Sequence, residues 1–266
     1  PPPPPFLMLR RPPRSTHTQS RRQRQMCIRD RAGDDNPLAG LTGRAALLNR
    51  LGHALAAKPQ FFAADQPRIG NLADYFVSLA RDGTLPAARI LTTLLEALED
   101  IWPGRLEIAG RNLGDTWHHF AASCDGPANG HVPFHKLSQW LSYSLVEPLQ
   151  ELGLIVTEPD ELTGLAEYRN GGLMIDTRLL NPKHDGVLGT LHEPGSEIIV
   201  EWRALTVALL DRLAGEVRSR LGKTAAELPL AAVLEGGTWA AGRRIAREKR
   251  ADGAPPLNIV SDGSVF

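Results

Sequence analysis

The sequence has few cysteines and no long apolar run. It contains only Cys27 and Cys124 among 266 residues. Two thiols cannot build a disulfide framework or a four-thiolate zinc site, so a reducing, cytoplasmic location is expected. No apolar run approaches the ~18 residues of a membrane-spanning helix, and an integral membrane protein is therefore not expected.

The sequence also lacks a net charge, because 30 basic residues balance 30 acidic ones. That balance hides two different segments. Residues 1–31 hold eight arginines and one acid, Asp30, so residues 32–266 are mildly acidic. An acidic body predicts no general affinity for nucleic acid.

Residues 1–31 lack the pattern of a folded segment, since they open with five prolines and show no helical or strand period. A basic nucleic-acid-binding arm and a targeting peptide are two interpretations of such a tail. We favour a third, in which Phe6–Thr16 and Met26–Arg31 are translated sequencing-adapter sequence. Residues 1–31 are then a disordered artefact, and the folded unit is expected within 32–266.

Apolar periodicity in the remaining sequence predicts a mainly α fold with minor β structure, built as a single globular helical domain. The strongest element is a helix over about 197–221, preceded by Ser196 as N-cap and nearly all apolar in its first half. Such a helix is expected to be buried at the centre of the domain. The other longer predicted helices are 41–57, 72–82, 86–101, 133–152 and 239–250.

The segment 158–195 is rich in Gly, Pro and Asn and predicts a long irregular connection. Within it, Glu167–Gly172 combines an acid, an aromatic ring, a guanidinium and two glycines, a set that suits a polar small ligand. A simple turn is the alternative interpretation. The candidate residues are Glu167 for catalysis and Tyr168, Arg169 and Asn170 for binding.

Two charges interrupt the apolar helix at Glu201 and Arg203. Buried charges are rare unless they are paired, and residues two apart on a helix need separate partners. A desolvated Glu201 has a raised pKa, which suits a general acid or base. A structural ion pair to another helix is the alternative.

Four histidines cluster in Asp115–His119 and His131–Lys136. Their spacing fits no zinc motif, so we predict no metal site and interpret His119 and His135 as hydrogen-bonding or acid–base groups. Asp115 is a further candidate catalytic carboxylate. Lys136, Trp140, Tyr143 and Glu147 follow at helical spacing, either as a cleft wall or as a solvated face.

A glycine pair, Gly236–Gly237, is expected to end one short helix just before Thr238 caps the next. Backbone N–H groups at such a joint can bind an anion, so Glu235, Trp239 and Arg243 are candidate binding residues. A plain helix–turn–helix joint is the alternative.

Several longer segments resemble a known family. They are Val132–Leu141, Leu162–Gly172, Val200–Leu205, Leu234–Gly242 and Ser261–Phe266. Together they resemble the uracil-catabolism protein four family of fungi and bacteria, whose domain has no assigned function, over about Asn36–Phe266. Members of that family carry a further N-terminal region, so the resemblance implies that 32–266 is a helical domain truncated at its N terminus.

The resemblance implies a role in the uracil degradation route that passes through a ribosylated urea. Our leading hypothesis is a hydrolase of a ribosyl or ribosyl-phosphate intermediate, a nucleoside- or nucleotide-like small molecule, without a cofactor. Glu167–Arg169 also resembles a short segment of queuosine-salvage nucleotide glycosidases, which are helical. Candidate phosphate ligands are Arg169, Lys136 and Arg243, and candidate stacking residues are Tyr168, Trp140 and Trp239.

Two alternatives stay open. A non-catalytic scaffold for other uracil-pathway enzymes predicts an exposed apolar patch. A phosphoribosyl-transferring enzyme needs an acidic phosphoribose-binding loop, which the sequence does not contain. The enzyme hypotheses require Glu167, Arg169, Glu201 and Glu235 to converge on one pocket.

Overall fold

The computed structural model describes residues 40–260. The interpretation of residues 1–31 and the family-like ending at 261–266 lie outside the described residues. Within 40–260 the predicted class is confirmed: the chain is mainly α-helical, with short strands only. No helix in this range combines the length and apolarity that crossing a bilayer requires.

The helices of the described range include one π-helical turn, Leu234–Trp239, which joins the last two α-helices directly. They are α1 (Leu41–Ala57), α2 (Pro59–Phe62), α3 (Asn71–Leu79), α4 (Ala87–Ala97), α5 (Lys136–Glu151), α6 (Tyr168–Asp176), α7 (Glu197–Leu221), α8 (Leu230–Val233) and α9 (Ala240–Lys249).

The strands form four separate two-stranded pairs among residues 40–260. They are β1 (Thr84–Pro86), β2 (Glu107–Ile108), β3 (Arg111–Asn112), β4 (Thr116–His118), β5 (His131–Pro133), β6 (Ile155–Thr157), β7 (Leu191–His192) and β8 (Asn258–Ile259). β1 pairs with β6 and β7 with β8 in parallel, whereas β2–β3 and β4–β5 are antiparallel.

The N-terminal half encloses an apolar core between α1–α4 and α5. Helix α4 buries Ile90 and Leu94 one turn apart, and Phe62 and Phe76 pack into the same cluster. Apolar residues at helical spacing thus form one buried face, as their period predicts. Pro148 does not end α5, which continues to Glu151.

Helix α7 confirms the predicted central helix, with one correction. Its buried face includes Val200, Trp202 and Thr206, but Glu201 and Leu205 lie on an exposed face. The expectation of burial on all sides is therefore wrong. Ser196 occupies the N-cap position, yet its hydroxyl makes no hydrogen bond within residues 40–260.

The prediction of an irregular connection at 158–195 is also wrong, because this segment contains helix α6. Trp202 Nε1 of α7 donates a hydrogen bond to the carbonyl of Gly171, at 3.0 Å. A Cβ on Gly171 would lie 2.6 Å from the Trp202 ring, so only glycine allows the two helices to approach this closely. Tertiary packing therefore outweighs the low helix propensity of the glycine pair.

The glycine pair Gly236–Gly237 does not end a helix either. The chain continues from α8 through the π-helical turn into α9, so Thr238 lies inside a continuous helical segment. The hydroxyl of Thr238 donates to Asn170 Oδ1 at 2.9 Å rather than capping a helix. The expected anion-binding helix start at this joint is therefore absent.

The contact between α6 and α7 predicts the effect of adding one methyl group. We expect Gly171→Ala to lower the free energy of unfolding by about 1–3 kcal/mol, because the new Cβ overlaps the Trp202 ring and Thr206. Gly215→Ala is the matched control, since Gly215 is exposed on α7 and a Cβ there meets nothing. That change should be neutral or stabilising by up to about 1 kcal/mol. Equal urea denaturation midpoints for the two variants would contradict the close contact.

Candidate active site

A buried ion pair between Asp115 and Arg203 lies at the centre of the candidate site. Arg203 donates from Nη1 to Asp115 Oδ1 and from Nη2 to Oδ2, both at 2.8 Å. The Arg203 side chain is 1% exposed and the Asp115 side chain 9% exposed. Two parallel hydrogen bonds fix the orientation of both groups as well as their separation.

Asp115 has further donors around it. Its carboxylate accepts a hydrogen bond from Trp117 Nε1 at 2.7 Å and from the backbone N–H of Lys136 at 3.0 Å. Burial by itself would raise the pKa of Asp115, but the hydrogen bonds and charge of Arg203 outweigh burial and hold that pKa below its usual value. The carboxylate is thus ionised and joins the β4–β5 hairpin, the start of α5 and helix α7.

Arg203 also contacts apolar and backbone groups. Its Cζ lies 4.0 Å from the centroid of the Phe134 ring, and its Nε donates to the carbonyl of Ala166 at 3.4 Å. The guanidinium therefore stacks on one side and is bound to the segment that precedes α6 on another. The sequence pattern identifies Arg203 as a buried charge that needs a partner, but the partner is 88 residues away.

Lys136 and Glu167 begin neighbouring helices and share one electrostatic environment. Burial, followed by the positive charge of Arg203, lowers the pKa of Lys136 to about 8, while Asp115 and Glu167 oppose this shift. Burial raises the pKa of Glu167, although hydrogen bonds from the backbone of Arg169 and Asn170 and the charges of Lys136 and Arg169 act against it. Both groups therefore titrate closer to neutral pH than they do in water.

Glu167 is held in place as the N-cap of α6. Its Oε1 accepts a hydrogen bond from the backbone N–H of Asn170 at 2.8 Å. The residue thus belongs to a helix start rather than to the predicted irregular loop. Asn170 in turn donates through Nδ2 to the carbonyl of Leu165 at 3.2 Å and accepts from Thr238, which ties α6 to the π-helical turn.

His135 precedes α5 in a left-handed conformation, with φ of 46°. Its pKa is lowered, first by burial and then by the charge of Arg203, with Asp115 opposing. His135 and Asp115 line a narrow crevice beside Trp102 and Ser138. The imidazole is therefore kept neutral next to the ion pair.

A second group of predicted residues meets where α6 contacts α9. The guanidinium Cζ of Arg169 lies 4.9 Å from the Tyr168 ring centroid, and that of Arg243 lies 4.5 Å from the Trp239 ring centroid. Gly242 packs directly against the carbonyl oxygen of Arg169, where a Cβ would collide. The two stacked pairs therefore belong to helices whose backbones are in contact.

The remaining predicted residues differ in their exposure. Glu201 is exposed on α7, so its expected desolvation is wrong, and Glu235 is exposed in the π-helical turn. Trp140 is 54% exposed on α5. His119 is buried, accepts from the backbone N–H of Ala121 at 3.2 Å, and has no partner for Nε2 within the described range. The convergence of Glu167, Arg169, Glu201 and Glu235 on one pocket stays a prediction.

No metal-binding cluster occurs in the part of the chain that the structure describes, where no three His, Cys, Asp or Glu side chains come together in a suitable way. Cys124 is exposed and unbonded to another cysteine. The described site itself offers carboxylate, imidazole, ammonium and guanidinium groups.

The fold and site define a mainly α protein with a buried ionic centre and three perturbed titratable groups beside it. The chain belongs to a family described as a protein of unknown function, DUF1688, whose model matches residues 17–266. The family-level resemblance seen in the sequence is thereby confirmed.

Two relatives are similar along most of this chain. The protein urg3 of Schizosaccharomyces pombe is 41% identical over 237 residues, a match that covers 88% of this chain and 56% of urg3. Uracil catabolism protein 4 of Lachancea kluyveri is 38% identical over 271 residues, covering 91% of this chain and 60% of the relative. The chain thus spans somewhat more than half the length of these relatives.

The buried pair makes a prediction about stability. We expect Asp115→Asn to lower the free energy of unfolding by about 3–5 kcal/mol, because Arg203 would stay buried without a countercharge. Glu216→Gln is the control, since the Glu216–Arg220 pair is exposed and should contribute less than about 1 kcal/mol. Chemical denaturation measures both, and an Asp115→Asn loss as small as the control would contradict a structural role for the pair.

Proposed function

We propose that this chain takes part in uracil catabolism as a hydrolase of an N-glycosidic or amide-like bond in a ribosyl or ribosyl-phosphate intermediate. The pathway is supported by the name of the relative uracil catabolism protein 4. The reaction class is supported by one observation of this chain: a carboxyl with a raised pKa, Glu167, electrostatically coupled to an ammonium with a lowered pKa, Lys136.

The two groups suit opposite proton transfers. A carboxylate at Glu167 removes a proton from water as the oxygen attacks the carbon of the scissile bond. An ammonium at Lys136, with a pKa of about 8, gives a proton to the departing nitrogen as the carbon–nitrogen bond breaks. The hydroxyl of water thus ends on the carbon, and a proton ends on the departing nitrogen. Glu167 then releases its proton to solvent and Lys136 takes one up, which restores the starting charge of both residues.

Arg203 and Asp115 act in this scheme as positioning residues. The positive charge of Arg203 contributes to the lowered pKa of Lys136, and Asp115 binds the backbone N–H of Lys136 at the start of α5. A fixed charge next to an ammonium keeps that group poised to release its proton. His135, neutral and adjacent, supplies a further hydrogen-bonding group.

A second candidate function is a non-catalytic binding protein of the same pathway. It is favoured by the exposure of Glu201 and Glu235, which the enzyme hypothesis placed in one pocket. The exposed Trp140 and Leu205 are the apolar groups that a partner would cover. Turnover by the purified chain distinguishes this candidate from the hydrolase.

The hydrolase proposal predicts that Glu167→Gln abolishes most turnover. Purified protein is incubated with ribosylurea and its 5-phosphate, and the products are followed by mass spectrometry. Loss of the base should slow hydrolysis by about 100-fold or more. Glu151→Gln is the control, because Glu151 is exposed at the end of α5. Unchanged turnover in Glu167→Gln would refute the assignment, and the absence of turnover in the unmutated chain would favour the binding protein.

A further inference from the structure

The junction of α6 and α9 carries two cations that the acid–base scheme does not use. Arg169 lies over the Tyr168 ring and Arg243 over the Trp239 ring. Stacking holds the plane of a guanidinium while its N–H edge stays directed outward for an oxygen ligand. Such an arrangement is typical of sites that bind planar or multidentate anions.

The two cations belong to helices that are in contact. Gly242 lies against the carbonyl oxygen of Arg169, and Trp239 and Arg243 are respectively one helical turn before and one residue after that glycine. Side chains at these positions project from the contact between the two helices. Arg169 and Arg243 therefore belong to two helices that touch at Gly242.

The charge of this region is not neutralised by ion pairs. Among residues 40–260, Arg169 and Arg243 make no salt bridge, whereas the neighbouring Arg250 is bound to Asp176 through two hydrogen bonds of 2.8 and 2.5 Å. The charge of Arg169 acts on Glu167 without forming an ion pair with it. Two positive charges without an ion pair thus lie on the two helices of this junction, and the charge of Arg169 acts on the proposed catalytic carboxyl.

A buried donor at the same junction has no acceptor. Trp239 Nε1 is buried and makes no hydrogen bond within the described residues. A buried N–H without an acceptor is costly, and most such groups in native proteins are satisfied. Trp239 thus adds a neutral donor next to the Arg243 guanidinium that stacks on its ring.

We propose that Arg169, Arg243 and Trp239 Nε1 bind the phosphate of a phosphorylated ribosyl ligand. This inference rests on the proposed function and assigns its substrate to the ribosyl-phosphate class rather than to the free ribosyl class. A phosphate monoester carries close to two negative charges and three acceptor oxygens, which match two guanidinium edges and one indole N–H. A carboxylate carries only one negative charge and therefore matches these groups less well than a phosphate does.

The test measures binding by calorimetry with ribose 5-phosphate, ribose and inorganic phosphate as probes. The phosphorylated sugar and inorganic phosphate should bind, and ribose should not. Arg243→Ala, at an exposed position, should weaken ribose 5-phosphate binding about 10-fold or more, and Arg169→Lys should weaken it about 5-fold. Trp239→Phe keeps the ring and removes the donor, so a loss of about 3- to 10-fold is expected.

Arg244→Ala is the matched control, because Arg244 is the next residue on α9, is exposed, and lies 3.7 Å from Glu248. Its affinity for ribose 5-phosphate should be unchanged. Equal binding of ribose and ribose 5-phosphate, or unchanged affinity in Arg243→Ala and Arg169→Lys, would overturn the proposal. A ribo-oligonucleotide serves as a competing probe. If it binds more tightly than ribose 5-phosphate, and if Arg244→Ala also weakens its binding, the proposal is overturned in favour of a general basic surface.

Glu167→Gln separates this inference from the proposed function. The phosphate site should bind ribose 5-phosphate at least as tightly in that variant, because Glu167 does not contact the phosphate in the proposal and its negative charge near Arg169 is removed. Phosphate binding without hydrolysis of any tested compound would refute the hydrolase while leaving the phosphate site. Hydrolysis that is equally fast with and without a 5-phosphate would refute the phosphate site while leaving the hydrolase.

Discussion

The bidentate pair of Asp115 and Arg203 is the interaction on which the candidate site depends. Desolvating two ions is expensive, and a buried pair is tolerated when hydrogen bonds satisfy both partners. Trp117 and the backbone N–H of Lys136 complete the donors to Asp115, and the ring of Phe134 covers Arg203. We interpret the pair mainly as a geometric constraint that holds a hairpin, the start of α5 and helix α7 in one orientation.

Close contacts between helices extend this geometric constraint to the positions of α6 and α9. Gly171 allows α6 to touch the ring of Trp202 on α7, and Gly164 sits against Leu210 in the same way. Gly242 then lets α9 approach α6. Because these contacts leave no space for adjustment, the N-terminal end of α6 has a fixed position relative to Arg203. The electrostatic environment of Glu167 is therefore determined by packing as well as by charge.

Local patterns predicted the helices better than the site. The central helix at 197–221 and the mainly α class follow from apolar periodicity, which is a local property. Helix α6 was missed because its glycines signal a turn locally and become helical through contact with Trp202. The expected burial of Glu201 failed because an apolar run does not say which face meets the core. The charge of Arg203 suggested a buried pair, but its partner Asp115 is far away in the chain, so only the tertiary structure identifies it.

The most direct test of this account is the pKa of Lys136 in the intact chain. The sequence has five lysines, so NMR of protein labelled at the lysine Cε gives few signals, and Lys136→Arg assigns the one of interest. The account predicts that Lys136 titrates at about 8, well below the ordinary lysine value of about 10.4. Titration of Lys136 at the ordinary lysine value would contradict a buried ammonium held beside Arg203.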